Sequence, residues 1–93
     1  MPRLSESEIA QRLEGGAWRR DGEAIVRDLT FPDFVAAIAF VDRVAAQAEA
    51  ENHHPDILVH GWNKVRLTLS THSEGGLTPA DFALARQFDA LAP

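Results

Sequence analysis

Residues 31–55, FPDFVAAIAFVDRVAAQAEAENHHP, decide the fold. They read as one long apolar helix that ends on a histidine pair and a proline. Thr30-Phe31-Pro32-Asp33 has the makings of a helix start: a capping hydroxyl, an early proline and an acid. Phe34, Ile38, Val41, Ala45 and Ala48 then fall at helical steps, and Val35, Phe40 and Val44 widen the stripe. The alanines between them favour helix and permit close approach. The spacing predicts a helix over 32–51 that forms the spine of the core. Pro55 ends it, because the residue before a proline avoids the helical conformation.

Downstream, Ile57-Leu58-Val59 reads as a short strand and His60-Gly61-Trp62 as a connection or bulge. Asn63 to Thr71 is a strong strand. Val65, Leu67, Leu69 and Thr71 share one face; Lys64, Arg66, Thr68, Ser70 and His72 share the other. Glu74-Gly75-Gly76 turns the chain. Thr78-Pro79-Ala80-Asp81 opens a last helix whose apolar side is Phe82, Leu84, Ala85, Phe88 and Leu91. Upstream, Ser5 and Glu8 have capping-box spacing, with Leu4 and Ile9 placed as a hydrophobic staple. That helix runs over about 6–14 and stops at Gly15-Gly16. Ala17 to Arg20 leads into Asp21-Gly22, a two-residue turn suited to a type I′ hairpin. A strand follows over 23–31, with Ile25, Leu29 and Phe31 on one parity and Arg27 breaking it.

The resulting order, αββαββα, predicts an α+β two-layer domain with a four-stranded, mainly antiparallel sheet and three helices on one face. Ninety-three residues are expected to make a single domain over 1–93. The formal charge of −5 argues against phosphate-directed binding of nucleic acid. No apolar run approaches the roughly 18 residues of a membrane span, and the start lacks the layout of a signal peptide. The expected location is cytoplasmic. Without cysteine, disulfides and mixed Cys/His metal sites are excluded.

Chemistry concentrates at His53, His54 and His72, each at the edge of a regular element. Imidazole titrates near neutrality and suits general acid–base work. One histidine after a helix is explained by capping the terminal carbonyls; two in succession exceed that need. His72 alone reads equally well as a surface residue at a strand end. Three histidines and an acid suit an open zinc site, but the helical H-x-x-x-H spacing is absent. Asp81 fits the amide end of the last helix as its third residue. Trp18 and Trp62 can wall a flat ligand or simply pack.

The run 48–56, AEAENHHPD, the strand NKVRLTLSTH over 63–72, and Gly76-Leu77-Thr78 with Asp81 together resemble the pterin-4a-carbinolamine dehydratases. Trp18 after a glycine-containing turn, the Phe31-x-Asp33-Phe34 helix start and Arg43-Val44-Ala45 extend the resemblance along nearly the whole chain. It implies a four-stranded antiparallel sheet with three helices, association as a homodimer or homotetramer, and no metal or organic cofactor. The implied reaction removes water from a 4a-hydroxytetrahydropterin, such as 4a-hydroxytetrahydrobiopterin, to give the quinonoid dihydropterin. That reaction links the chain to an aromatic amino acid hydroxylase upstream.

The family's catalytic histidines correspond to His53, His54 and His72, and its supporting acids to Glu49 and Asp81. On this reading His53 and His72 face the ring as acid and base, and His54 binds or orients it. Groups around Pro55 and from Thr71 to Ser73 hold the pyrimidine-like edge, Trp18 walls the ring, and Asp81 orients His72 or helps to bind. The chain departs from the family pattern at Asn52, Ile57 and Ala80. It also has one extra residue between Asp56 and Trp62, which a bulge near His60-Gly61 is expected to absorb. Two other functions compete: a non-catalytic dimerisation or transcriptional co-regulator module, and a pterin-binding protein of another pterin pathway.

Overall fold

The computed structural model describes residues 2–93. Its elements are α1 (Glu6–Leu13), β1 (Arg19–Asp21), β2 (Ala24–Thr30), α2 (Phe34–Glu51), β3 (Asp56–His60), β4 (Lys64–Leu69), a short 3-10 turn (His72–Glu74) and α3 (Pro79–Leu91). The order is αββαββα, as the periodicity predicts. The four strands form one antiparallel sheet, β1-β2-β4-β3. Among the described residues no helix is long and apolar enough to cross a membrane.

Strand alternation sorts the sheet into two faces. Ile25 pairs with Leu69, Leu29 with Val65 and Ile57 with Leu67. These side chains meet Phe40 and Val44 of α2 and Phe82, Leu84 and Phe88 of α3 in one apolar cluster. The opposite parity carries Asp28, Asp56, Leu58, Arg66, Thr68 and Ser70 on the uncovered face. Arg27 breaks the apolar parity of β2 for a reason the strand itself does not contain. It ion-pairs with Asp89 of α3, which also accepts a hydrogen bond from Trp18 Nε1 at 2.9 Å.

Several local expectations shift by a residue or more. The β1–β2 turn is Gly22-Glu23 rather than Asp21-Gly22, since Asp21 pairs with Ala24. Only Gly22 has positive φ there (61°), the pattern of a II′ turn rather than I′. Helix α2 is capped by Asp33, which accepts from the Ala36 amide at 2.7 Å, so Pro32 lies outside the helix and Thr30 is not the cap. The buried stripe of α2 is Ala37, Phe40, Val44 and Ala48, while Phe34, Val35 and Ala45 are exposed. Phe40 and Val44 pack between two alanines, whereas Phe34 and Val35, of the same bulk, face outward. The β3–β4 ladder is regular from Asp56 to His60. No bulge forms near His60-Gly61: the chain turns through Gly61-Trp62-Asn63, where Gly61 and Trp62 have φ of 53° and 57°. Asn63 ties this loop to the end of β2 by donating to the Phe31 carbonyl at 2.9 Å.

On the uncovered face Asp28 accepts from Arg66 Nε at 2.7 Å and Arg19 Nη1 at 2.6 Å. The hydrogen bond from Arg66 acts most strongly and, together with that from Arg19 and both positive charges, holds the Asp28 carboxyl below the usual range against the opposing effect of burial, which exceeds that of the Arg19 bond alone. A carboxyl depressed in the folded state stabilises above its unfolded pKa of about 3.9, and the contribution disappears as pH falls through the folded value. All three side chains are roughly half exposed. Asp28→Asn is therefore expected to cost less than about 1 kcal/mol at pH 7 and low salt. The difference from the parent should shrink as the pH falls below the ordinary aspartate range, which urea titrations at neutral and at acid pH measure.

Candidate active site

The exit from α2 is built by Asn52. It adopts the left-handed conformation (φ 50°), which a short amide side chain tolerates better than most. Its amide bonds back to Ala48 and Glu49, and the His53 amide reaches Ala48 O at 3.2 Å, closing the helix end. Pro55 then favours extended backbone at His54, where successive side chains point to opposite sides. The two histidines accordingly diverge. His53 Nε2 lies 2.7 Å from Asp81 Oδ1, and His54 Nε2 bonds Glu49 Oε2. An ionised carboxylate only accepts, so each Nε2 carries the proton in these bonds. Nδ1 is left as the second working nitrogen of each ring.

Asp81 ties the site together. It is fully buried. As the third residue of α3 it completes a capping box with Thr78, accepting from the Thr78 amide at 3.0 Å through Oδ2. The same oxygen accepts from Thr71 Oγ1 at 2.7 Å, and Thr71 Oγ1 lies 2.9 Å from Thr78 Oγ1. Because the single Thr71 hydroxyl proton goes to Asp81, Thr78 donates to Thr71. One carboxylate thus joins the exit of α2 (His53), the end of β4 (Thr71) and the start of α3 (Thr78). No hydrogen bond joins it to His72, and its burial leaves it no surface to offer a ring directly.

His72 follows Thr71 and opens the 3-10 turn with an exposed side chain. Thr71 and Gly76 bridge across this turn, and Gly75 takes positive φ (69°) to close it. His72 and His54 line one cleft of about 340 Å³, with Asp56, Thr68 and Ser70 as its floor on the uncovered face and Glu23 at its margin. His53 is not in that lining. It is mostly buried and borders a second depression of about 190 Å³ between α2 and α3, beside Glu51 and Ala80. Glu49 is exposed and reaches the cleft only through His54. Pro55 is half-buried beside the pair, and Ser73 is exposed within the turn. Trp18 lies elsewhere, in the core under α1 and α3, its indole bonded to Asp89. Trp62 is exposed in the β3–β4 loop. Among the described residues no three histidine, aspartate or glutamate side chains converge as metal ligands.

Asp56, Thr68 and Glu23 also line the cleft, and the histidine pattern does not point to them. Parity places Thr68 and Ser70 on the same face as His72. The pairing of Asp56 with Thr68, which brings an acid to that floor, needs the strand register.

A family model described as pterin 4 alpha carbinolamine dehydratase matches residues 2–91. The chain belongs to that family. A relative from Chloroflexus aurantiacus, provisionally named a pterin-4-alpha-carbinolamine dehydratase, is 52% identical over 92 residues and 98% of both chains. A Nocardia farcinica relative with the same provisional name is 52% identical over 90 residues, covering 96% of this chain and 94% of its own. The crystal structure of a transcriptional coactivator/pterin dehydratase from Brucella melitensis superposes with a TM-score of 0.91 at 39% identity, over 98% of this chain and 99% of that one. A pterin dehydratase-like protein identified as a RuBisCO assembly factor in the alpha-carboxysome is similar at a TM-score of 0.71 and 31% identity, over 84% and 92%.

Proposed function

We propose that the protein dehydrates a 4a-hydroxytetrahydropterin, such as 4a-hydroxytetrahydrobiopterin, to the quinonoid dihydropterin by histidine acid–base catalysis. The observation that carries this reading is the shared cleft of His54 and His72, with the adjacent His53 held by the buried Asp81. Hydroxide leaves poorly, so an imidazolium must protonate the 4a-oxygen as the C4a–O bond breaks. Electron density from the ring nitrogens fills the vacated bond. A neutral imidazole takes the proton released from a ring N–H, so one water leaves and the net charge is unchanged. Two histidines in opposite protonation states near neutral pH suit this exchange.

In this reading His72 and His53 move the protons, and His54, held by Glu49, positions the ring. His53 is favoured because its carboxylate partner is buried and fixes its tautomer. A second assignment, His54 with His72, is favoured by the cleft lining. The variants separate the two. His54→Ala raises KM with little change in kcat if His54 only positions; it lowers kcat if His54 transfers a proton. Pro55, Thr71 and Ser73 would hold the ring edge through backbone groups. No metal or organic cofactor has a part in these steps. The enzyme would act in the cytoplasm as a homodimer or homotetramer, downstream of an aromatic amino acid hydroxylase.

The direct test is the dehydration of freshly generated 4a-hydroxytetrahydropterin by the purified protein, followed against the spontaneous reaction. Acceleration that scales with protein concentration is expected; a rate no faster than the spontaneous one refutes the assignment. An interaction role also has a surface, since Phe34 and Val35 of α2 are 53% and 75% exposed. A co-regulator module of this kind would survive loss of every cleft histidine.

A further inference from the structure

Besides its two imidazoles, the cleft is lined by two carboxylates. Its carboxylates are Asp56 and Glu23, and their circumstances differ. Glu23 is engaged: its Oε2 lies 4.0 Å from Arg3 Nη1, and it packs so close to the turn that a Cβ at Gly76 would fall 2.6 Å from that oxygen. Its backbone carbonyl also accepts from Ser70 Oγ at 2.8 Å, which spends the Ser70 proton. Asp56 is exposed, opens β3, and stands opposite Thr68 on the cleft floor. Among the described residues its carboxylate has no hydrogen-bond or ion-pair partner.

We propose that Asp56 is the specificity-determining residue that reads the amino-pyrimidine edge of the ring. This rests on the proposed reaction and extends it to a residue outside the histidine set. A pterin presents two adjacent donors on that edge, the 2-amino group and N3–H, in the parallel arrangement that a carboxylate accepts with both oxygens. The 4a-hydroxyl stands on the ring-fusion carbon, across the pyrimidine ring from C2. A ring whose donor edge meets Asp56 is held by that edge, with its fusion carbon inside the cleft that His54 and His72 line. The carboxylate sets binding and orientation and takes no proton in the reaction. Asp56 is a substrate-reading group, whereas Glu23 supports the turn that carries His72.

The test compares equilibrium binding of 7,8-dihydropterin with that of its 2-desamino counterpart, by calorimetry, for the parent protein and Asp56→Asn. The parent is expected to prefer the amino compound by about 10- to 100-fold, the range for hydrogen bonds to a charged partner. In Asp56→Asn that preference should collapse to within about 3-fold, because the amide offers a donor where an acceptor is needed. KM for dehydration should rise by the same 10- to 100-fold with kcat within about 3-fold. Asp56→Ala serves as a second variant that introduces no new donor, and thermal melts confirm that both fold. Undiminished preference in the two variants overturns the assignment of Asp56. If the parent also dehydrates, only Asp56 is lost from the account. A parent protein that binds 7,8-dihydropterin with the Asp56-dependent preference, yet does not accelerate dehydration, retains the reading of Asp56 and overturns the reaction. A parent that binds neither compound overturns both.

Discussion

His72→Ala is expected to lower kcat for pterin dehydration by about 10²–10⁴-fold, the usual contribution of a positioned acid or base, with almost no loss of stability. His72 is exposed, begins a three-residue turn, and makes no side-chain hydrogen bond among the described residues. The turn is held instead by the bridge between Thr71 and Gly76 and by the Gly75 amide on His72 O. Removing the ring should therefore shift stability by no more than about 0.5 kcal/mol, as for a surface position. Activity and folding are thus cleanly separated at this residue. His53→Ala should lower kcat comparably, but it also leaves Asp81 Oδ1 without its donor inside the protein. An unmatched buried acceptor costs about 1–3 kcal/mol, so its rate must be measured well below its melting temperature. The pH–rate profile adds a second readout. Two imidazoles working in opposite states give a bell, and loss of one of them removes one limb. Parental kcat and an intact bell in His72→Ala remove that residue from the mechanism.

The two levels of this protein differ in how much of each a single chain displays. The layers are written in local periodicity. The β4 alternation, the Ser5–Glu8 capping box and the Thr78-Pro79 helix start each involve residues within four positions of one another, and each forms where the pattern puts it. The paired histidines are also locally legible, because a helix stop followed by proline needs no such pair. What is not local is which way each ring points. His53 meets Asp81 across 28 positions. Arg27 enters the helix-covered side of the sheet because Asp89, 62 positions away, receives it. A parity rule applied to β2 alone sees only an interruption. The acid on the cleft floor is set by register, since Asp56 reaches the strand that leads to His72 only through its pairing opposite Thr68. Trp18 shows the same limit from the other side: aromatic chemistry suggested a ligand wall, while packing under α1 and α3 and a bond to Asp89 give it a place in the core.

Asp81→Asn should damage both the fold and the reaction. Three donors converge on this one buried carboxylate: His53 Nε2, Thr71 Oγ1 and the Thr78 amide. An amide accepts through one oxygen only. If its nitrogen replaces Oδ2, it confronts the Thr78 N–H, which cannot become an acceptor. If its nitrogen replaces Oδ1, it confronts His53 Nε2, and the imidazole must change tautomer or turn away. Either arrangement breaks a buried network from one side, at about 2–4 kcal/mol. That corresponds to a fall in melting temperature of about 10–20 °C for a domain of this size. Thr71→Val, which removes one donor and leaves the carboxylate its other two, should cost about 1–2 kcal/mol and leave the His53 tautomer in place. At a temperature where both variants are folded, Asp81→Asn is expected to lose about 10²-fold in kcat through misplacement of the ring, and Thr71→Val far less. Nitrogen chemical shifts of the His53 imidazole report the tautomer directly. If the shifts and kcat of Asp81→Asn both match the parent, the carboxylate serves the helix cap alone, and His53 draws its orientation from packing at the exit of α2.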